Sequence, residues 1–123
     1  MSTLAAKSFD TPDEKRTPDK TEVGVVDLGG GIKAARMSMQ PGWSWSSCIK
    51  PLVGGDSCQV HHVGTVVSGR LGVRHDDGSE IEVGPGEAYQ IAPGHDAWVV
   101  GDSQFVAFEF DSSAATTYAT LPA

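Results

Sequence analysis

The sequence predicts an all-β domain, a sandwich or a barrel, and three observations lead to that class. Eight short segments rich in β-branched and aromatic residues follow one another closely from Thr21 onward. Fifteen glycines and seven prolines are spread along the chain and separate these segments, as turns do in all-β proteins. No heptad or sustained 3.6-residue repeat indicates a long helix. The 123 residues suffice for one domain with its own core and are too few for two.

Composition divides the chain into three parts. Residues 1–20 are polar and rich in Asp, Lys, Pro and Thr, which predicts a mobile arm with at most one short strand, around residues 8–11. Residues 21–112 contain all eight strand candidates and form the β domain. Residues 113–123 are a C-terminal tail that either adds a strand or frays.

Each predicted strand is a run of apolar or alternating residues bounded by turn-forming residues. In chain order the runs are TEVGVVDLG, IKAARMSMQPG, CQVHHVGTVVSG, LGVRHD, SEIEVG, EAYQIAP, AWVVG and QFVAFEF. Between the fourth and fifth runs, Asp77-Gly78 predicts a hairpin, because a type I′ turn needs positive φ angles that this pair adopts at low cost. Val73 and Ile81 should therefore lie on neighbouring antiparallel strands. The GPGE segment at residues 84–87 predicts the next chain reversal.

Charge and composition exclude several classes of partner. The formal charge of -7 and the pI near 4.8 oppose binding to nucleic acid and to anionic membrane surfaces. The N-terminal segment has no apolar signal region and no apolar run is long enough to span a membrane, so we expect a cytoplasmic protein. Cys48 and Cys58 are too few for a disulfide framework, although a single bridge between them remains an alternative.

The DSCQVHHV segment, residues 56–63, places candidate ligands on one face of its predicted strand. With a period of two residues, Asp56, Cys58 and His62 point to the same face. His61 points to the opposite face and is expected at the surface. A carboxylate, a thiolate and an imidazole on alternate positions can bind one metal ion. Val66 shares their face, which is therefore also the core face, so Cys58 is alternatively a small buried apolar residue.

Aromatic residues are candidates for a binding pocket. In GWSWSS, Trp43 and Trp45 alternate, which places both indoles on one face near the pocket mouth. Together with Trp98 they are expected to surround a flat or apolar ligand, or else to pack the β core. Tyr89 and Asp56 are candidates for proton carriers beside that ligand.

Two spaced patterns bring these residues together. DSCQVHHVGTVVSG closes with Gly69, and a second pattern opens at Gly86 and contains Ala-Pro-Gly at residues 92–94. They resemble the two motifs of the cupin superfamily, G(X)5HXH(X)3,4E(X)6G and G(X)5PXG(X)2H(X)3N, and the resemblance extends over residues 42–110. It implies that residues 21–112 form a jelly-roll β-barrel, the double-stranded β-helix of cupins. PGHDAW is especially similar to small bacterial single-domain cupins.

The metal ligands of the family do not all carry over. In this sequence the family's ligand positions fall on Asp56, Cys58, His62 and Ala97, so the usual set of three histidines and one glutamate is absent. His95, two residues before Ala97, is positioned to complete a set with Cys58 and His62. Such a set suits Zn, Cu or Fe better than Mg or Ca.

The sequence thus predicts a single-domain cupin that binds a small molecule in its barrel pocket together with a transition metal ion. One alternative is a metal-dependent enzyme of the oxygenase or isomerase class acting on a small organic substrate. The other is a non-catalytic ligand-sensing module, because the fold alone does not select an activity. We also expect a homodimer, because pairing covers the open sheet edges of a jelly roll.

Overall fold

A computed structural model describes residues 4–110, and within them the chain forms nine strands, a π-helical turn and one short α-helix. The eight strands predicted from residue 21 are all present. In chain order the elements are β1 (Glu14–Arg16), β2 (Thr21–Gly29), β3 (Ile32–Met39), the π-helical turn (Trp45–Ile49), α1 (Lys50–Val53), β4 (His62–Ser68), β5 (Arg70–His75), β6 (Glu80–Val83), β7 (Ala88–Ile91), β8 (His95–Val100) and β9 (Phe105–Phe110).

The strands of the described residues form two antiparallel sheets. The larger sheet has the order β1-β2-β3-β9-β4-β7, and the smaller has the order β6-β5-β8. Buried residues of both sheets belong to one core cluster, for example Met37 and Phe105 from the larger sheet and Leu71 and Val99 from the smaller. Because one face of each sheet supplies this core, the space between the sheets is where a site can be enclosed.

Both chain reversals predicted from sequence are present. Val73 pairs with Ile81 across the β5–β6 hairpin, and Gly78 in its turn has a φ of 93°. The turn is not the predicted type I′, because that type needs a positive φ at Asp77 as well, and among the described residues other than glycine only Lys20 has one. Instead the N–H of Gly78 donates to the His75 carbonyl at 2.9 Å. Residues 84–87 then reverse the chain between β6 and β7.

The N-terminal segment adds an edge strand to the larger sheet and packs Phe9 on the sheet's outer face. Its strand β1 is at residues 14–16, not at the predicted residues 8–11, and pairs with β2 of the same chain. The ring of Phe9 packs on Phe108 at a centroid distance of 5.0 Å, and the guanidinium of Arg36 lies 5.8 Å above the Phe9 ring. The mobility expected for residues 1–20 stays a prediction.

Three further expectations concern the two cysteines, the C-terminal tail and membrane-spanning segments. Cys48 and Cys58 are both buried free thiols, so the single bridge considered for them is not formed. The C-terminal tail at residues 113–123 lies outside the described residues. Within residues 4–110, no helix combines the length and the apolar character needed to cross a membrane.

Candidate metal centre and cavity

A small cavity lies inside the barrel, between the two sheets. Its wall is mostly apolar, and its polar side chains cluster around His62. About 30 Å³ of it is accessible to the centre of a water molecule, so the cavity can hold a small group. The lining residues that carry polar atoms are Trp43, Trp45, Cys58, His62, Tyr89, His95 and Glu109.

The three predicted metal ligands meet in this cavity. One ligand atom from each of Cys58, His62 and His95 lies within 4.8 Å of the others. All three residues are buried, with 3%, 5% and 2% of their surface exposed. The backbones of Cys58 and His95 pair directly, since Cys58 N–H donates to the His95 carbonyl at 2.7 Å. This bridge brings His95 of the second motif beside Cys58 of the first.

His62 is held by a buried carboxylate. Its Nδ1–H donates to Glu109 Oε1 at 2.8 Å, and its Nε2 lies 3.8 Å from Cys58 Sγ. Glu109 also accepts a hydrogen bond from the Tyr89 hydroxyl at 2.7 Å. Because both partners of Glu109 are donors, its two oxygens are occupied, and Nε2 of His62 is the nitrogen that faces the other ligands.

Gly64 makes room for this arrangement. It lies opposite Glu109 on β9 and opposite Tyr89 on β7. A Cβ at this position would lie 2.9 Å from Glu109 Cγ, 2.9 Å from the Tyr89 hydroxyl and 2.3 Å from a backbone oxygen. Any larger residue at position 64 would therefore displace the groups that hold His62.

His95 is oriented in the same way by the backbone. Its Nδ1–H donates to the carbonyl oxygen of Ala92 at 2.8 Å. The rings of His62 and His95 meet edge to face, with centroids 5.1 Å apart. In both histidines Nδ1 is therefore bonded to a protein acceptor, which leaves Nε2 to act in the cavity.

The electrostatics of the cluster favour a thiolate. Burial raises the pKa of the Cys58 thiol, but hydrogen bonds with His62 and His95 outweigh burial and lower that pKa from 9.0 to about 6. Burial also lowers the pKa of His62, but the Glu109 carboxylate and Cys58 together raise it from 6.5 to about 10. Without a metal ion at neutral pH, Cys58 is thus a thiolate beside a protonated His62.

Trp43, Trp45 and Tyr89 line the cavity as predicted for pocket residues. The two indoles are buried inside the barrel, with 3% and 2% exposed, and do not stand at its mouth. The Nε1 of Trp43 is buried and, among the described residues, is the buried side-chain nitrogen or oxygen atom that lacks a hydrogen-bond partner.

Asp56 and Trp98, the other two predicted pocket residues, do not line the cavity. Asp56 is exposed, because β4 begins only at His62 and the strand alternation does not extend back to position 56. Trp98 lies on β8 between the inward residues Ala97 and Val99 and so points to the opposite face. Its indole covers Gly72, where a Cβ would lie 2.4 Å from the ring.

Glu109 is the site residue that the sequence interpretation missed. It is only 3% exposed and contacts both His62 and Tyr89. The signal was present in FVAFEF, because Phe105, Ala107 and Glu109 share one face by strand alternation. A carboxylate on the apolar face of a strand indicates a buried partner.

Comparisons with known proteins agree with this architecture. The sequence matches neither a protein-family model nor a curated protein. Among solved structures, a protein of unknown function from Rhizobium leguminosarum superposes with a TM-score of 0.62 at 20% identity, over 89% of this chain and 97% of that one. The cupin domain of Cnp3 from Schizosaccharomyces pombe gives a TM-score of 0.59 at 8% identity, over 85% of this chain and 71% of that one.

An enzyme is also among the similar structures. The oxalate decarboxylase of Lactobacillus farciminis, in its formate complex, superposes with a TM-score of 0.55 at 18% identity. The match covers 79% of this chain and 30% of the decarboxylase chain. The chain therefore has the fold of the cupin superfamily, the double-stranded β-helix, as its two sequence motifs predicted.

Proposed function

We propose that this cupin-fold protein binds a transition metal ion through Cys58, His62 and His95, and a small molecule in the adjoining cavity. The observation that supports this most directly is the convergence of three buried ligand atoms within 4.8 Å. In a tetrahedral site with ordinary bond lengths, ligand atoms lie roughly 3.3–3.6 Å apart. The 3.8 Å between Cys58 Sγ and His62 Nε2 is close to that separation.

The donor set fits a metal better than it fits a plain core. Both His62 and His95 bond a protein acceptor through Nδ1, and Nε2 of His62 lies 3.8 Å from the Cys58 sulfur. A metal ion would replace the His62 Nε2 proton next to the thiolate. One thiolate and two imidazoles suit Zn, Fe or Cu.

The surroundings of the ligands supply the orienting contacts that metal sites require. Glu109 fixes the ring of His62, and Tyr89 in turn fixes Glu109, while the Ala92 carbonyl fixes His95. Such outer contacts set the tautomer and the direction of a metal-binding histidine. The apolar wall keeps bulk water away from the cluster.

A metal-dependent enzyme of the oxygenase or isomerase class is the second candidate. Three protein ligands are fewer than the four of a closed structural site, as in catalytic zinc sites. A bound ion would supply Lewis-acid or redox chemistry there. The fold likeness to an oxalate decarboxylase agrees with an enzyme but does not identify the reaction. Turnover of a small organic acid by metal-loaded protein, lost in Cys58→Ser, would support this candidate.

Elemental analysis tests the metal proposal. The purified protein is loaded separately with Zn²⁺, Fe²⁺ and Cu⁺ and freed of excess ion, and we expect about one retained equivalent of at least one of them. Cys58→Ser should lose this metal because the thiolate is gone. Cys48→Ser is the matched control, because Cys48 is also a buried thiol but lies near Asp19, 3.7 Å from its carboxylate. Equal metal content in the two variants would contradict the proposal.

A further inference from the structure

Trp43 lines the same cavity as the candidate metal ligands, and its indole nitrogen is orphaned. Trp43 is 3% exposed, and its Nε1 has no hydrogen-bond partner within residues 4–110. Leaving a buried donor without a partner is costly, and folded proteins rarely do so. This N–H is therefore the group in the cavity whose partner remains to be explained.

The backbone holds Trp43 firmly in place. Its N–H donates to the carbonyl of Gln40 at 3.0 Å, and its own carbonyl accepts from Val99 N–H at 3.0 Å. The second of these bonds ties Trp43 to β8, the strand that begins with His95. The indole is consequently fixed relative to the ligand cluster, as a recognition donor must be.

We propose that Trp43 Nε1–H donates a hydrogen bond to the carboxylate of a small monocarboxylate bound in this cavity. This inference rests on the proposed function, because it takes the cavity to be the small-molecule site beside the metal. It adds the chemical class of the ligand and the residue that selects it. A carboxylate oxygen is a stronger acceptor for a buried N–H than a neutral oxygen.

Size limits this ligand to a few heavy atoms. Only about 30 Å³ of the cavity is accessible to the centre of a water molecule, so the ligand must be small. Formate and similarly short acids are compatible with that space, whereas a sugar or an aromatic acid would require the wall to move. Apolar lining residues such as Ile91 and Phe105 would surround the carbon end.

Charge limits the ligand to one negative charge. A divalent ion bound to the Cys58 thiolate keeps one positive charge for a ligand, while the Glu109 carboxylate is bonded to His62 Nδ1–H and to the Tyr89 hydroxyl. No lysine or arginine lines the cavity in the described part of the chain. A second negative charge on the ligand would therefore have no cation to pair with in a water-poor space.

Calorimetric titration of the zinc-loaded protein tests this inference. The probes are formate, formamide as a neutral carbonyl of equal size, and methylammonium as a small cation without an acceptor. Formate should bind best and methylammonium not at all. Trp43→Phe removes the N–H and keeps an aromatic side chain, and it should weaken formate binding about tenfold or more. Trp98→Phe is the matched control, because that indole lies outside the cavity, and it should change formate binding by less than about threefold.

Zinc content, measured on each sample, distinguishes failure of the metal site from failure of the Trp43 contact alone. Failure of the wild-type protein to retain any of Zn²⁺, Fe²⁺ and Cu⁺ overturns the proposed function and this inference with it, and if Fe²⁺ or Cu⁺ is retained instead of zinc the titration is run on that form. Retained zinc with equal formate affinity in wild type and Trp43→Phe overturns this inference alone, as does tighter binding of formamide.

A measurement on the unmutated protein covers the case in which Trp43→Phe fails to fold. Nuclear magnetic resonance of the wild-type zinc protein should show the indole N–H signal of Trp43 moving downfield when formate is added. The signals of Trp45 and Trp98 should move less. A stationary Trp43 signal in the presence of bound formate overturns the inference.

Discussion

Two adjacent histidines, His61 and His62, lie on opposite faces of the larger sheet and differ in burial and in hydrogen-bond partner. His61 is exposed, and its Nε2 donates to the amide oxygen of Gln90 at 2.7 Å. His62 is 5% exposed and donates to the buried carboxylate of Glu109 at 2.8 Å. Water competes with the contact of His61, which weakens it. The contact of His62 is shielded from water, so its electrostatic attraction is stronger. Burial and a fixed acidic partner, rather than residue type, make His62 a candidate ligand.

Alanine at each histidine gives the largest expected contrast. His62→Ala removes a ligand and leaves Glu109 buried without its partner, so metal content should fall sharply and unfolding free energy should drop by about 3–5 kcal/mol. His61→Ala should keep full metal content and change stability by about 0.5 kcal/mol or less. Elemental analysis and urea unfolding of the same samples measure both effects. If the two variants retained equal metal, strand alternation would not define the site.

This contrast was predictable from sequence because it depends only on strand alternation. Cys58 also lies with His62 as predicted, but it precedes β4 and is placed by its backbone bridge to His95 rather than by alternation. The spacing of the second motif suggested His95. The larger sheet's strand order, which sets Glu109 beside His62, depends on a pairing between β4 and β9 that are far apart in sequence. No local pattern encodes that pairing, so the partner of His62 stayed hidden.

The same limits explain the misplaced pocket residues. Strand alternation does not reach back to Asp56, because the segment before His62 is not a regular strand. That segment pairs through the Cys58–His95 bridge. Trp98 was assigned to the pocket by residue type, whereas its strand position next to the inward Ala97 places it on the other face. Period-two reasoning is reliable inside a strand and fails beyond its ends.

Glu109→Gln sharpens the comparison by removing charge while keeping shape. The amide oxygen can still accept from His62, but the negative charge that stabilises the imidazole is lost. We expect metal affinity to fall about 10- to 100-fold, as for other outer-contact changes. Competition with a chromophoric chelator measures this affinity. Tyr89→Phe, which removes only the hydrogen bond to Glu109, should have a smaller effect, and equal effects would argue against a role for the charge.

The pH dependence of Cys58 is the third expected effect. Contacts with His62 and His95 lower its pKa to about 6, so the metal-free protein should hold a thiolate above that pH and lose it below. Because a metal ion must also displace the Nε2 proton of His62, whose pKa is raised to about 10, affinity should fall about tenfold per pH unit below that pKa and about a hundredfold per unit below the Cys58 midpoint. Ultraviolet absorbance of the thiolate follows the titration. The step should vanish in Cys58→Ser and persist in Cys48→Ser, and a midpoint near 9 would contradict the predicted environment.

The smallest expected effect concerns the outer face, where Phe9 packs on Phe108 under Arg36. Phe9→Ala removes an aromatic pair and a cation–π contact, so unfolding free energy should fall by about 1–2 kcal/mol with metal content unchanged. Phe110→Ala is the control, since that side chain is 48% exposed on the same face, and it should cost about 0.5 kcal/mol or less. Urea unfolding compares the two variants. Equal stability of Phe9→Ala and wild type would mean that the contact between Phe9 and Phe108 does not hold the N-terminal segment on the sheet.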